Sequence, residues 1–484
     1  MKNKLNLPEL ESKKVFAYFE ELAAIPHGSR NTRQISDYLI SFAKEHGLEC
    51  YQDEANNVVI IQEASAGYES ADPIIMQGHM DMVCEKEKGV EIDFEKDGLE
   101  LYVDGDFLKA KGTTLGGDGV AVAYILAIMD SPEIAHPRLE AVITVDEEIG
   151  MLGAEVIDLS MLKGHKMLNI DSDVEGHFLT SCAGGMTVDT VIPVTWQKQQ
   201  GYGAGLTVTG LEGGHSGSEI DKEHANANIL MGRVLKYLSD RMELAVVSLA
   251  GGLKDNAIPR ECEAEIVIPE EKKAELSDYI TELEKIFKKE YAVSDPAVCI
   301  EIKENGTGEY EVLSYSSMTK VIFYLRNVPN GVQHMSMVMP GLVETSLNTG
   351  IMKLTTDGLE LTASVRSSVS TRKEELKDKL EYLAEFLGGE ISVSGDYPAW
   401  EYRAKSDIRE GISAVYEELF HEEPVFEAIH AGLECGILSG KIADLDCVSF
   451  GPNNFDIHTP KERLSISSTE KVWKLIVEFL KRSK

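Results

Sequence analysis

The stretch Pro73-Ile74-Ile75-Met76-Gln77-Gly78-His79-Met80-Asp81 decides the fold. Its apolar first half reads as a short buried strand. The strand delivers His79 and Asp81 just past its C-terminal end, the edge of an open α/β sheet where ligands and chemistry collect. His-x-Asp suits a metal ion, because one group ligates while the other holds the imidazole in the right tautomer. A satisfied surface pair explains the same two residues. The metal reading therefore needs further ligands elsewhere in the chain.

Upstream, residues 14–46 read as two amphipathic helices split near Pro26-His27-Gly28, with Gly47 stopping the second. Short strands follow around Glu49–Tyr51 and Asn57–Gln62. Downstream, Leu99–Lys109 reads as a hairpin turning at Asp104-Gly105. Gly116-Gly117-Asp118-Gly119 then opens a helix over Val120–Met129. Asp118 is a good helix N-cap. The glycines beside it also leave room for a carboxylate shared between two metal ions. The strand Leu139–Val145 ends in Asp146-Glu147-Glu148, and Lys166–Ile170 ends in Asp171-Ser172-Asp173. Each has an ordinary reading, a solvated acidic turn or an Asx turn. Acidic residues recurring at one end of an alternating β/α pattern place them on one sheet edge, where such charge is costly without cations.

The character changes near Met186 to a strand–helix–strand pattern with a Gly-rich loop, Glu212-Gly-Gly-His215-Ser-Gly217. Helices are expected at Glu271–Glu290, Val312–Tyr324 and Arg372–Phe386, with strands at Leu244–Leu249, Glu263–Ile268, Val298–Ile302 and Leu359–Val365. Asp396–Trp400 reads as the return to the first domain, which a helix (Ser406–Phe420), strands (Val425–Ile429, Cys447–Phe450) and a helix (Glu470–Lys481) complete. The loop Gly451–Pro460 carries His458. The expected class is α/β: a catalytic domain with a mixed central sheet flanked by helices (residues 1–186 and 397–484) and a large inserted α+β lid domain (187–396).

The chain has 484 residues, too many for one core. Its net charge of −35, from 82 acidic and 47 basic residues, disfavours nucleic acid and anionic membranes as partners. The N-terminus shows no signal-peptide pattern, and no apolar run is long enough to span a bilayer. Seven scattered cysteines without a Cys-x-x-Cys argue against a disulfide framework or thiolate zinc site. A cytoplasmic location is expected, with any metal held by imidazole and carboxylate.

With His79, Asp118, Glu148, Asp171 and His458 as ligands, a shared Asp118 leaves one His and one further carboxylate for each of two ions. The N/O donor set suits zinc first, with manganese and cobalt compatible. Such a pair activates water and polarises a carbonyl. Glu147 is placed to serve as general base, and Asp81 to orient His79. From the inserted domain, His215 is a candidate oxyanion donor and Arg366 a candidate carboxylate clamp. Turn capping and a strand-edge arginine explain these two equally well. Gly214–Ser218 lacks the second glycine of a nucleophile elbow, Gly201–Gly205 lacks dinucleotide-binding spacing, and there is no P-loop.

The blocks Gln-Gly-His79-Met-Asp81-Met-Val, Gly-Gly-Asp118-Gly, Asp-Glu147-Glu148-Ile-Gly, Asn-Ile-Asp171 and His458-Thr-Pro resemble the co-catalytic metallopeptidases that include carnosinases, tripeptidases and glutamate carboxypeptidases. Asp255-Asn256-Ala-Ile-Pro-Arg260 and Ile429-His-Ala-Gly-Leu-Glu-Cys-Gly436 resemble blocks of the aminoacyl-histidine dipeptidase branch. The resemblance implies a zinc-peptidase domain with an inserted lid and hydrolysis of small dipeptides such as β-alanyl-histidine. It implies Glu147 as base, Asp81 orienting His79 and Asn256 binding substrate. It also implies a homodimer, in which the lid histidine of some relatives serves the neighbouring subunit. On the same site, an N-acyl amino acid amidohydrolase or a broader di/tripeptidase is the alternative chemistry. A non-catalytic scaffold fits poorly, because Glu147 and all five ligands are present.

Overall fold

The computed structural model describes residues 5, 7 and 9–484. The chain divides into two units. One takes the chain up to Ser181 together with Tyr402–Ala428 and Leu433–Lys484; the other takes Cys182–Glu401 with Ile429–Gly432.

The first unit is built on an eight-stranded sheet in the order Glu49–Gln52, Val58–Gln62, Leu139–Thr144, Ile74–His79, Lys166–Asn169, Asp446–Ser449, His177–Cys182, Val425–Ile429. Its centre is parallel: Ile74 pairs with both Leu139 and Lys166, and Asp446 with Lys166. Strands Val58–Gln62 and Glu49–Gln52 add antiparallel, so the sheet is mixed. Every residue of Ile74–His79 and of Leu139–Thr144 is buried, as expected for strands covered on both faces. The shared register brings His79, Thr144 and Asn169 to one edge, and the acidic segments leave from there.

Helix Val120–Met129 packs on this sheet. It is apolar throughout and all ten residues are buried, which a one-faced helix would not require. A Cβ built on Gly78 would stand 2.4 Å from the Ala121 Cβ. Gly78 therefore sets the approach of the helix that follows Asp118 to the strand that carries His79. Gly78→Ala is expected to cost about 1–3 kcal/mol of stability through overpacking, read as a lower urea midpoint. Helices Lys13–Ala23, Arg33–Glu45, Asp407–Phe420 and Ile466–Arg482 contribute to the same core. A small four-stranded sheet joins the hairpin Leu101–Asp104/Phe107–Ala110 to Arg463–Ser465 and Asn454–Phe455. His458 lies in the loop between the last two.

The second unit is a nine-stranded sheet with helices Ala227–Ser239, Lys273–Glu290, Tyr315–Asn327 and Ser370–Phe386. Its strands run Cys299–Leu313, Trp196–Thr209, Cys262–Ile268, Ala245–Gly251, Val343–Leu354, Gly358–Ser367, Gly184–Pro193, Glu390–Tyr397, with Gly331–Met335 added beside Val343–Leu354. The sequence reading differs here in three places. Strand Cys299–Leu313 is far longer than the expected Val298–Ile302, because its polar continuation Glu304–Glu311 is mostly exposed at the sheet edge. The helix expected at Val312–Tyr324 starts at Tyr315, because the Ser314 hydroxyl accepts from Ser317 N and caps it. Strands Val343–Leu354 and Glu390–Tyr397 carry too few apolar residues in clean alternation to announce themselves, and Gly184–Pro193 is passed over although its buried side alternates through Met186, Val188, Thr190 and Ile192. Among the described residues, no helix is long and apolar enough to cross a membrane.

Candidate active site

In the first unit, His79, Asp118 and Glu148 each offer a ligand atom within 4.8 Å of the others. His79 Nε2 lies 3.4 Å from Asp171 Oδ1, and His458 Nε2 lies 2.9 Å from Glu148 Oε2. The five residues thus form one cluster drawn from two strand ends, a turn, an acidic segment and a hairpin loop. Asp118 sits in a short 3₁₀ turn, Gly117–Gly119, and the N-cap position of the helix behind it is taken by Gly119.

The backbone is bent to deliver these groups. Asp146 (φ 55°) and His458 (φ 60°) occupy the left-handed region, unusual for non-glycine residues and worth of order 1–3 kcal/mol of strain. Asp146 is anchored there by Arg30 N, which donates to its Oδ1 at 2.6 Å. The turn sends Glu147 and Glu148 into the site directly after the strand.

His79 Nδ1 lies 2.9 Å from the Asp81 backbone carbonyl and 3.6 Å from its carboxylate Oδ1. A proton on Nδ1 donates to that carbonyl and leaves Nε2 free as a ligand. The Asp81 carboxylate accepts instead from Ser29 Oγ (2.8 Å) and from Glu147 N (3.1 Å). One residue thereby ties the histidine strand to the segment carrying Glu147.

Two residues that the sequence reading passed over build the Asp118 loop. Glu462 accepts from the backbone N–H groups of Leu115, Gly116 and Gly117. Asn454 Nδ2 donates to Glu462 Oε1 at 3.1 Å and reaches Asp118 Oδ1 at 3.4 Å. A Cβ on Gly117 would collide with the Asn454 amide at 2.4 Å, which gives that glycine a concrete role. Two further carboxyls stand close by, one buried and one half-buried. Glu434, fully buried, accepts from Thr144 Oγ1 (2.7 Å) and Gln77 Nε2 (2.5 Å). Asp173 follows Asp171 in the same turn.

Among the described residues, the salt-bridge partners of Glu148 and Asp171 are the site histidines, and no Lys or Arg pairs with Asp118, Glu147 or Asp173. Burial pushes Asp118 and Glu147 well above the carboxylate range, against the pull of His79. Burial and the Asp171 charge push Asp173 up to about 7. Burial likewise takes Glu434 to about 7. Burial alone would depress His79, but Asp171 and Asp81 outweigh it and raise the imidazole. Glu148 raises His458. This is a surplus of negative charge without basic side chains, with imidazole and carboxylate donors in reach of one another. The donor set fits divalent cations.

A pH dependence follows. Carboxyls whose folded pKa lies above the unfolded one stabilise the fold at low pH, and that stability is lost as the pH rises through the folded value. For Asp173 and Glu434 the window runs from their ordinary values of 3.8 and 4.5 to about 7. The metal-depleted protein is expected to melt at progressively lower temperature as the pH rises through this window. Saturating divalent ion should flatten the trend, which a series of thermal melts checks.

The second unit holds its own polar cluster. His215 Nδ1 accepts from Gly217 N (3.1 Å) and Ser218 N (3.2 Å), which puts the proton on Nε2 and makes that atom a donor. Burial and Arg366 lower its pKa and favour the neutral ring. Exposed Asn256 belongs to the neighbouring loop, whose backbone pairs with the His215 loop through Ser216 N and Asn256 O (2.9 Å). Arg366 lies on strand Gly358–Ser367, and its Nη1 donates to Tyr397 Oη at 3.1 Å.

Residues 75–482 match Peptidase family M20/M25/M40. The chain is 34% identical over 481 residues to the cytosol non-specific dipeptidase of Escherichia coli (strain K12), covering 98% of each. It superposes on the crystal structure of an aminoacylhistidine dipeptidase from Vibrio alginolyticus with a TM-score of 0.92 at 34% identity, covering 97% and 96% of the two chains. The aminopeptidase PepT of Bacillus cereus ATCC 10987 shares the fold, with a TM-score of 0.57 at 15% identity, 98% of this chain and 99% of that one. With a family match running from the His79 strand to the final helix, and the acidic site built on that match, the chain belongs to the M20/M25/M40 peptidases, enzymes that hydrolyse peptide bonds.

Proposed function

We propose that this chain is a metal-dependent dipeptidase that prefers Xaa-His substrates such as β-alanyl-histidine. The observation that carries the reading is the surplus of half-buried carboxylates around buried His79, none of which pairs with a Lys or Arg among the described residues. The dipeptidase names of the 34%-identical relatives support the substrate class.

His79, Asp118, Glu148, Asp171 and His458 would hold two divalent ions, zinc first, with Asp118 shared. When bound, the ions acidify water and polarise the scissile carbonyl. Glu147 would take a proton from the attacking water and hand it to the leaving amine. Asp81 holds His79 by its carbonyl and Glu147 by its carboxylate. His215 Nε2–H donates to the developing oxyanion. Arg366 pairs with the substrate's terminal carboxylate, with Asn256 beside it in the substrate contacts. The relative's cytosolic name is consistent with a cytoplasmic enzyme, and a homodimer is part of the same reading.

The test is a substrate panel with added zinc or manganese and with chelator: β-alanyl-histidine, several α-dipeptides, a tripeptide and N-acetyl amino acids. Metal-dependent cleavage of dipeptides, with Xaa-His fastest, is expected. Faster turnover of N-acetyl amino acids than of any dipeptide would replace this reading with an amidohydrolase.

A further inference from the structure

Arg366 belongs to a row that crosses four strands of the second unit's sheet. Ser346 lies directly opposite Arg366 on one side, and Gly185 directly opposite it on the other; Gly185 in turn pairs with Tyr397. The Tyr397 side chain returns over Gly185 to accept from Arg366 Nη1 at 3.1 Å. That return path exists only because Gly185 has no side chain: a Cβ there would lie 2.6 Å from Tyr397 Oη. On the opposite flank, Ser346 Oγ is 2.7 Å from His430 Nε2. His430 is 6% exposed, and burial together with the Arg366 charge lowers its pKa to about 3. The guanidinium therefore has a phenol on one flank and a neutral imidazole, held by Ser346, on the other, and among the described residues no carboxylate is ion-paired with it. Its Nε is buried and has no hydrogen-bond partner.

This pattern is informative. A structural arginine is ordinarily satisfied by a carboxylate or carbonyls, and an orphaned buried N–H costs about 1–3 kcal/mol. Here one corner of the fork is fixed, while the Nε edge that a carboxylate grips bidentately is left open.

We infer that Tyr397, with Gly185 leaving it room, is a positioning residue that aims Arg366 at the substrate's terminal carboxylate. The inference rests on the dipeptidase reading and adds to it the residue that fixes the clamp. Tyr397 accepts at Nη1 and stops the guanidinium rotating, so the Nε edge faces one direction. His430 stays neutral on the far side, and among the described residues no carboxylate is ion-paired with Arg366 in advance.

The experiment compares a dipeptide with its C-terminal amide in the metal-loaded enzyme. Tyr397→Phe removes one hydroxyl and keeps the ring. It is expected to raise KM for the free dipeptide about tenfold, the loss of one charge-assisted hydrogen bond. The value of kcat should stay within about twofold, the signature of lost uniform binding. KM for the amide, which has no carboxylate to offer Arg366, should not change. Gly185→Ala, which drives Tyr397 off the guanidinium, should reproduce the same selective loss if it folds. An equal rise in KM for acid and amide, or no rise for either, overturns the positioning role while leaving the dipeptidase reading intact. Failure of the unaltered enzyme to cleave either compound overturns both.

Discussion

Glu147→Gln is expected to lower kcat for dipeptide hydrolysis by about 10²–10⁴-fold, the range general-base catalysis supplies. The substitution keeps the shape of the side chain and removes only its capacity to carry the proton. The Glu147 backbone N–H still reaches Asp81, so the segment should keep its place. Glu147 is not among the five ligand candidates, so the variant should bind metal with the unaltered stoichiometry. It should also keep the dipeptide KM within a small factor. A kcat that survives the change would move the base elsewhere, and the elevated carboxyls nearby, half-buried Asp173 and buried Glu434, would be the first to examine.

Asp118→Asn is expected to be as damaging to turnover for a different reason, and the two variants separate the roles. Asp118 is the carboxylate both ions would share, and its loop is braced by Glu462 and Asn454 rather than by a helix cap. Replacing it should abolish activity at ordinary metal concentrations and remove the metal-dependent rise in thermal stability. For an ion present at 100–1,000 times its Kd that rise corresponds to about 3–4 kcal/mol. The asparagine also relieves a buried charge. The metal-free variant should therefore be no less stable than the metal-free parent. Combining Asp118→Asn with Glu147→Gln should add little, because the groups act as one unit.

Much of the first unit was legible in the sequence for identifiable physical reasons. Ile74–His79 and Leu139–Thr144 are continuous apolar runs that end in charge, and the register of a parallel sheet delivers such ends to one edge. Helix Val120–Met129 was readable to the residue, because an all-apolar segment bounded by glycine and Asp130 has few alternatives. What stayed hidden depends on chain folding rather than local pattern. Glu462 sits four residues after His458 and has no distinguishing neighbourhood, yet it accepts three amides from a loop more than 340 residues earlier. The carbonyl of Asp81, rather than its carboxylate, makes the close contact with His79, and sequence says nothing about which oxygen does so. In the second unit Arg366 could be singled out. Ser346, Gly185 and Tyr397 could not, because they meet it only through strand pairing, and His430 joins them from a loop through the Ser346 hydroxyl. The polar edge strand Cys299–Leu313 shows the same limit: exposed residues there carry no burial signal to read.

Turnover is expected to depend on two ions held by the His79 cluster. The most direct test is to strip the protein of metal and titrate zinc or manganese back, following both bound metal per chain and release of histidine from β-alanyl-histidine. No turnover is expected in the stripped protein, with recovery complete at two bound ions per chain. Full turnover by protein that holds no metal would contradict this expectation.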